Sequence, residues 1–176
     1  MFKNIVKFES IFLKKIIQFF FLIYSTFLFG QDTTTTYYLI RHAEKELSNP
    51  ENKNPHLTQK GIERANNWKN IFKEIPFDKI YSTNFFRTQE TAIFIAKDKG
   101  IKIDKYKTNN TYNKPFREDN KGKTILVVGH SNTIPFLANK IIGKDIYSSI
   151  DETIHGNLYI ISIVNENVTY QLLKIE

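Results

Sequence analysis

Residues 37–46 read YYLIRHAEKE, and this stretch decides the fold. Tyr37, Tyr38, Leu39 and Ile40 form an aromatic and aliphatic run without helical spacing, the pattern of a strand buried in a parallel sheet. Arg41 and His42 follow at once. Ionisable groups placed directly after such a strand project from its carboxyl end, the edge at which open α/β sheets bind ligands. An Arg-His pair alone is a weak signal, and it gains meaning only from partners elsewhere in the chain.

Upstream of this strand, residues 1–30 stand apart. Lys3, Lys7, Lys14 and Lys15 make a basic start, residues 16–29 (IIQFFFLIYSTFLF) are almost wholly apolar, and Gly30-Gln31 supplies a small residue at a cleavage point. That is the pattern of a secretory signal peptide, so residues 31–176 are expected to form one exported domain, periplasmic or extracellular. The apolar run falls short of the roughly 20 residues of a spanning helix. Because Leu28 is larger than the small residue preferred there, an uncleaved amino-terminal anchor is the alternative, and the one route to a membrane.

Composition narrows the class. The hydrophobic fraction of 41% and the aromatic fraction of 14% exclude a disordered chain. Cysteine is absent, so an exported domain must hold together without disulfides and without a lipid-modified cysteine. Setting aside the four leading lysines and Glu9 lowers the formal charge from +7 to +4. That surplus suits an anionic substrate; the lysines are scattered, so no nucleic-acid partner is expected.

Downstream, residues 45–56 are polar and hold Pro50 and Pro55, which reads as a loop. Thr58 is placed to cap a helix whose apolar face is Ile62, Ala65, Trp68, Ile71 and Phe72, with Pro76 ending it. Residues 77–81 (FDKIY) read as a strand, and 86–99 as a helix burying Ala92, Ile93, Ile95 and Ala96 and closing on Gly100. Residues 101–106 (IKIDKY) alternate as a half-buried or edge strand. Residues 108–123, with Pro115 and mixed charges, read as a long surface loop. The β-branched TILVV at 124–128 is a buried strand, 133–142 a helix with Pro135 in its first turn, and the segments around Asn165-Glu166-Asn167 a β-hairpin. The expected fold is a three-layer α/β/α domain with a mostly parallel sheet and a carboxyl-terminal hairpin.

Three strands are thus followed by polar groups: Arg41-His42, residues 82–87 ending in Arg87, and Gly129-His130. Right-handed crossovers between parallel strands bring all three to one edge. Two histidines and two arginines converging there suit a phosphate monoester or a phosphoramidate.

RHAEK, HLTQKGIERA, YSTNFFRTQETA and VVGHSNT, in that order, resemble the motifs of the histidine phosphatase superfamily, the phosphoglycerate mutase-like fold, and the shortness of the chain resembles its small phosphohistidine phosphatase branch. The resemblance implies that His42 takes the phosphoryl group and that Arg41, Arg87 and His130 bind its oxygens. A neutral imidazole can attack if its other nitrogen is held by an acceptor such as a backbone carbonyl, and guanidinium and imidazolium groups stabilise the equatorial oxygens without a metal. No metal or other cofactor is expected. Larger members also use a carboxylic acid to protonate the leaving oxygen; in the corresponding segment the candidates here are Glu118 and Asp119, each as readily a charged turn.

The implied activity is a metal-independent phosphatase acting on a small phosphorylated molecule or a phosphoprotein. A non-catalytic phospho-ligand module and a phosphoglycerate mutase-type phosphotransferase are the alternatives. Arg64 reads as solvated or structural, Thr88 and Thr91 as structural, Ser131 and Asn132 as helix caps whose backbone amides could help hold an anion, Glu44 as orienting Arg41 or Lys45 or as half of a surface pair, and His155 as exposed or else near the site.

Overall fold

The computed structural model describes residues 33–175, together with Lys14, Lys15 and Gln18, which are helical. The chain divides into two units, Met1–Asp32 and Thr33–Glu176; the expected signal peptide lies outside the described residues. Among the described residues no helix is long and apolar enough to cross a membrane.

The second unit is built on six strands, β1 (Thr34–Arg41), β2 (Lys79–Ser82), β3 (Ile103–Lys105), β4 (Thr124–Gly129), β5 (Asn157–Val164) and β6 (Asn167–Lys174), in the order β3-β2-β4-β1-β5-β6. β1, β4, β2 and β3 are parallel neighbours, while β5 runs antiparallel to β1 and β6 to β5. The helices are α1 (Gln59–Ile71), α2 (Phe86–Lys99), α3 (Lys114–Asn120) and α4 (Thr133–Ile142).

The pleat assigns the layers. On one face Leu39, Ile125, Val127 and Ile161 pack against Ile134, Leu137, Ala138 and Ile141 of α4, with Phe116 of α3 alongside. On the other, Ile40, Ile80, Leu126 and Val128 pack against Trp68 of α1, the adjoining Phe72, and Ala92, Ile95 and Ala96 of α2. Strands covered on both sides are apolar at successive positions, which is why TILVV and YYLI carry no alternation. Each fully buried aliphatic side chain contributes about 1.5–3 kcal/mol, so these faces are where the sheet is held.

Three caps agree with the sequence, while the expected side-chain capping of α4 does not form: Asn132 makes no side-chain cap hydrogen bond and Ser131 Oγ donates to Glu152 instead. The Thr58 side chain accepts from Gly61 N at the start of α1, and Gly100 and Gly143 close α2 and α4 with φ of 66° and 77°. Asn165 and Glu166, at φ of 46° and 68°, make the two-residue hairpin turn that matches strand twist. Two further expectations need correction. Ile62 is exposed rather than part of the α1 face, which is Gly61, Ala65 and Trp68. Residues 108–123 are not a continuous loop: a 3-10 turn at Thr108–Asn110 leads to α3, whose Asn113 cap accepts from Phe116 N at 2.9 Å. Pro115 sits in the first turn of α3, where its missing N–H costs no helical bond.

Connections fix where a ligand can bind. From β1 the chain moves through α1 on one face, whereas from β4 it moves through α4 on the opposite face. β1 and β4 are adjacent, so their carboxyl ends flank the point where the winding reverses, and a crevice opens there.

Candidate active site

His42 and His130 stand at that crevice. Arg41 pairs in register with Gly129, and His42 N donates to Gly129 O at 2.9 Å, which sets the two histidines side by side with ring centroids 5.5 Å apart. β2 brings the third group. Thr83 follows it directly, and Arg87 lies in the first turn of α2. His42, Lys45, Arg87, His130, Ser131, Asn132, Ser149, Ile150 and Glu152 line a cleft of about 460 Å³ at this edge.

The imidazole of His42 is fixed by its own loop. Its Nδ1 lies 2.7 Å from Ala43 O, and since a carbonyl only accepts, Nδ1 carries the proton and Nε2 keeps its lone pair. Ala43 N in turn donates to Thr91 Oγ1 at 3.0 Å, tying the loop to α2. Further along, Thr58 N donates to Glu44 O at 2.9 Å, and Arg64 forks onto the Glu44 carboxylate at 2.8–3.0 Å. Gly61 permits this approach, because a Cβ there would lie 2.2 Å from Glu44 O.

His130 is oriented from two sides. Arg87 Nη2, which can only donate, faces its Nδ1 at 3.4 Å, so the neutral ring carries its proton on Nε2 and donates to Thr83 Oγ1 at 2.9 Å. Thr88 holds that hydroxyl from behind, also at 2.9 Å. Gly129 is required for space: a Cβ would meet Tyr106 Oη at 2.6 Å and Ile134 Cδ1 at 2.9 Å.

Positive charge accumulates around His42 with little to neutralise it. Arg41 is buried; its Nη1 donates to Asp151 O and Ile154 O, both at 2.9 Å, and its Nη2 pairs with Glu152. Arg87 lies over the Phe85 ring at 4.4 Å. Arg41 Nε, Arg87 Nε and Arg87 Nη1 are buried without a hydrogen-bond partner among the described residues. Buried donors of this kind are rare, and an oxyanion in the crevice would satisfy them. Burial, together with Arg41, His130 and Arg87, outweighs the Ala43 bond and pushes the His42 pKa down to about 2; burial and the cations Arg87, Lys45 and Arg41 push His130 down to about 4.

Residues 37–108 match the model of the histidine phosphatase superfamily (branch 1). None of the curated proteins matches the chain. Among solved structures, Bacillus stearothermophilus YhfR superposes with a TM-score of 0.65 at 14% identity, over 81% of this chain and 98% of that one. The protein histidine phosphatase SixA, solved with tungstate, gives 0.62 at 13% identity over 79% and 96%. The alpha-ribazole phosphatase of Shigella flexneri gives 0.60 at 17% identity over 80% and 96%. Over residues 37–108 the chain is similar to the histidine phosphatase superfamily, and these solved structures share its fold.

Arg41, His42, Arg87 and His130 meet at one edge, but Glu118 does not join them. It is exposed, lies 3.7 Å from Lys114, and lines a different cleft of about 780 Å³ with Thr33, Thr35 and Tyr37. Thr35 is six residues, about 20 Å, back along β1 from Arg41. Asp119 is equally remote, paired with Lys79 and Lys123 at the amino-terminal ends of β2 and β4. The acid expected in this segment is therefore absent from the cleft.

Two residues in the loop before β5 stand there instead. Glu152 is the cleft's carboxylate: Ser131 Oγ donates to its Oε1 at 2.5 Å, and Arg41 holds its Oε2. His155 is half-buried rather than exposed, with Nδ1 donating to His42 O at 3.0 Å and its ring 6.1 Å from that of His42. Nothing in the local sequence marks either, because their position follows from β5 pairing against β1. Among the described residues no group of three or more His, Cys, Asp or Glu is placed to hold a metal ion.

Proposed function

We propose that this chain is a phosphatase hydrolysing a phosphomonoester or phosphoramidate through a phosphohistidine on His42. The observation that carries the proposal is the free Nε2 of His42 beside the unpartnered buried donors of Arg41 and Arg87. Nε2 bonds to phosphorus as the bond to the leaving group breaks, and its electron pair departs with that group. Water then attacks phosphorus, and the P–N electron pair returns to the ring. Arg41 and Arg87 bind the equatorial oxygens, and their charge counts for more in a crevice walled by β1 and β4 than in open water; the dianion's charge draws a proton onto His130 Nδ1, which then donates to the phosphoryl group as well. The residues at the crevice supply nucleophile and charge stabilisation themselves, so the proposed reaction is metal-independent and uses no cofactor.

The substrate is a small phosphorylated molecule or a phosphoprotein. An export signal in residues 1–30 would place the reaction outside the cytoplasm. The test is hydrolysis of p-nitrophenyl phosphate by the purified chain in excess EDTA, beside His42→Ala. Expected is EDTA-resistant turnover that disappears in the variant, with an acid-labile phosphoryl-enzyme trapped only in the wild type. Oxyanion binding without turnover would leave a phospho-ligand-binding module as the function.

A further inference from the structure

Departure of an alkoxide from phosphorus needs a proton, and neither Glu118 nor Asp119 reaches the crevice. Resting on the phosphatase reading above, we infer that Glu152 is the proton-transfer group of the site, protonating the leaving oxygen and later accepting a proton from the hydrolytic water.

Glu152 is the one carboxylate among the residues that line the cleft with His42, Arg87 and His130. Its place is built. Arg41 Nη1 grips the carbonyls of Asp151 and Ile154 on either side of it, Ile150 N donates to Ser131 O at 2.8 Å, and the Asp151 carboxylate closes the turn by accepting from Thr153 N at 2.8 Å. The buried arginine that precedes His42 therefore also fixes the turn that carries the acid. With about two thirds of its side chain exposed, Glu152 can exchange protons with solvent.

In the resting site Ser131 and Arg41 favour the carboxylate. An incoming phosphoryl group changes both influences: it competes for Arg41 and sets negative charge beside Glu152, and each change raises proton affinity. Substrate binding thus loads the acid. In the first step Nε2 bonds to phosphorus, the ester P–O bond breaks, and the leaving oxygen takes the Glu152 proton. In the second, water bonds to phosphorus, its proton passes to the Glu152 carboxylate, and the P–N electron pair returns to His42. The proton is released to solvent with phosphate.

The experiment compares wild type, Glu152→Gln and His42→Ala on p-nitrophenyl phosphate and on an alkyl phosphate such as phosphoserine, with tungstate affinity measured in parallel. The p-nitrophenolate leaves with little help; an alkoxide does not. Glu152→Gln is expected to lose about 10²–10⁴-fold in kcat/KM on the alkyl ester but only about tenfold or less on the aryl ester, and to bind tungstate as tightly as wild type or more so, since a competing negative charge is gone. An equal loss on both esters, no loss on either, or a gain on both would overturn the assignment, the last marking Glu152 as a plain competitor for the phosphate site. So would a wild type that hydrolyses the aryl ester alone. Absence of His42-dependent turnover on either ester overturns the phosphatase reading, and this assignment with it; intact His42-dependent turnover with no leaving-group effect overturns Glu152 alone.

Discussion

His42 Nδ1 lies 2.7 Å from the carbonyl oxygen of its own neighbour, Ala43, so the tautomer with a free Nε2 is set by the backbone of the loop that carries it. The ring sits among Arg41, Arg87 and His130 in a buried crevice and resists a second proton. His42 should accordingly remain neutral from pH 5 to 8, with its Nε2 unprotonated by 15N NMR; a titration midpoint near the ordinary value of 6.5 would contradict the geometry.

The same depression has a cost in stability at acid pH. His42 and His130 bind their protons at about 2 and about 4 when folded, against 6.5 when unfolded, so the unfolded chain takes up protons first. Stability therefore rises with pH through this window and is lost as pH falls below 6.5. By pH 5 each histidine should have cost about 2 kcal/mol relative to pH 8. Urea unfolding at the two pH values checks this, and His130→Gln should remove about 2 kcal/mol of the difference.

Arg87 offers two buried, unpartnered donors and makes no ion pair among the described residues. Arg87→Ala should weaken tungstate binding by about 1.5–3 kcal/mol for each charge-assisted bond lost. Arg87→Lys should recover only part, because an ammonium cannot reproduce the planar fork. Isothermal titration of the three proteins decides it; equal affinities would remove Arg87 from the oxyanion site.

Much of this site is legible in sequence for a physical reason. Strands β1 and β4 are covered on both faces, so they appear as unbroken apolar runs, and the polar residues that end each run lie at the binding edge. Short or loop-borne features are different. α3 spans seven residues, two turns with Phe116 and Asn120 facing inward, too few to display a period, and Pro115 reads as a breaker until its place in the first turn is known. Glu152 and His155 reach the crevice only because β5 pairs antiparallel with β1, a choice of sheet neighbour that no local pattern encodes. Residues 108–123 supply no carboxylate to the crevice for a related reason: the chain between β3 and β4 returns along the amino-terminal ends of the strands, where Glu118 and Asp119 pair with lysines.

Gly129 ends β4 just before His130, and a methyl group there would press on Tyr106 Oη and on Cδ1 of the fully buried Ile134. Gly129→Ala should cost about 1–3 kcal/mol as overpacking. Since His42 N donates to Gly129 O, it should also disturb both histidines, lowering kcat along with thermal stability. Unchanged turnover in a destabilised variant would separate packing from catalysis at this position.

Arg64, one turn into α1, clamps the Glu44 carboxylate two residues beyond His42 with three contacts of 2.8–3.0 Å, both side chains being largely buried. Removing the guanidinium leaves Lys60, 3.6 Å away and exposed, as the ion-pair partner of Glu44 among the described residues. Arg64→Ala should therefore destabilise the protein by about 1.5–3 kcal/mol and loosen the loop that aims His42. Because Arg64 does not line the phosphate cleft, tungstate affinity should fall far less than in Arg87→Ala, while kcat declines. Replacing both partners, as in Arg64→Met with Glu44→Gln, avoids the unpaired buried carboxylate and should restore most of the lost stability. A double variant no more stable than Arg64→Ala would mean that the pair itself, rather than the orphaned charge, holds the loop.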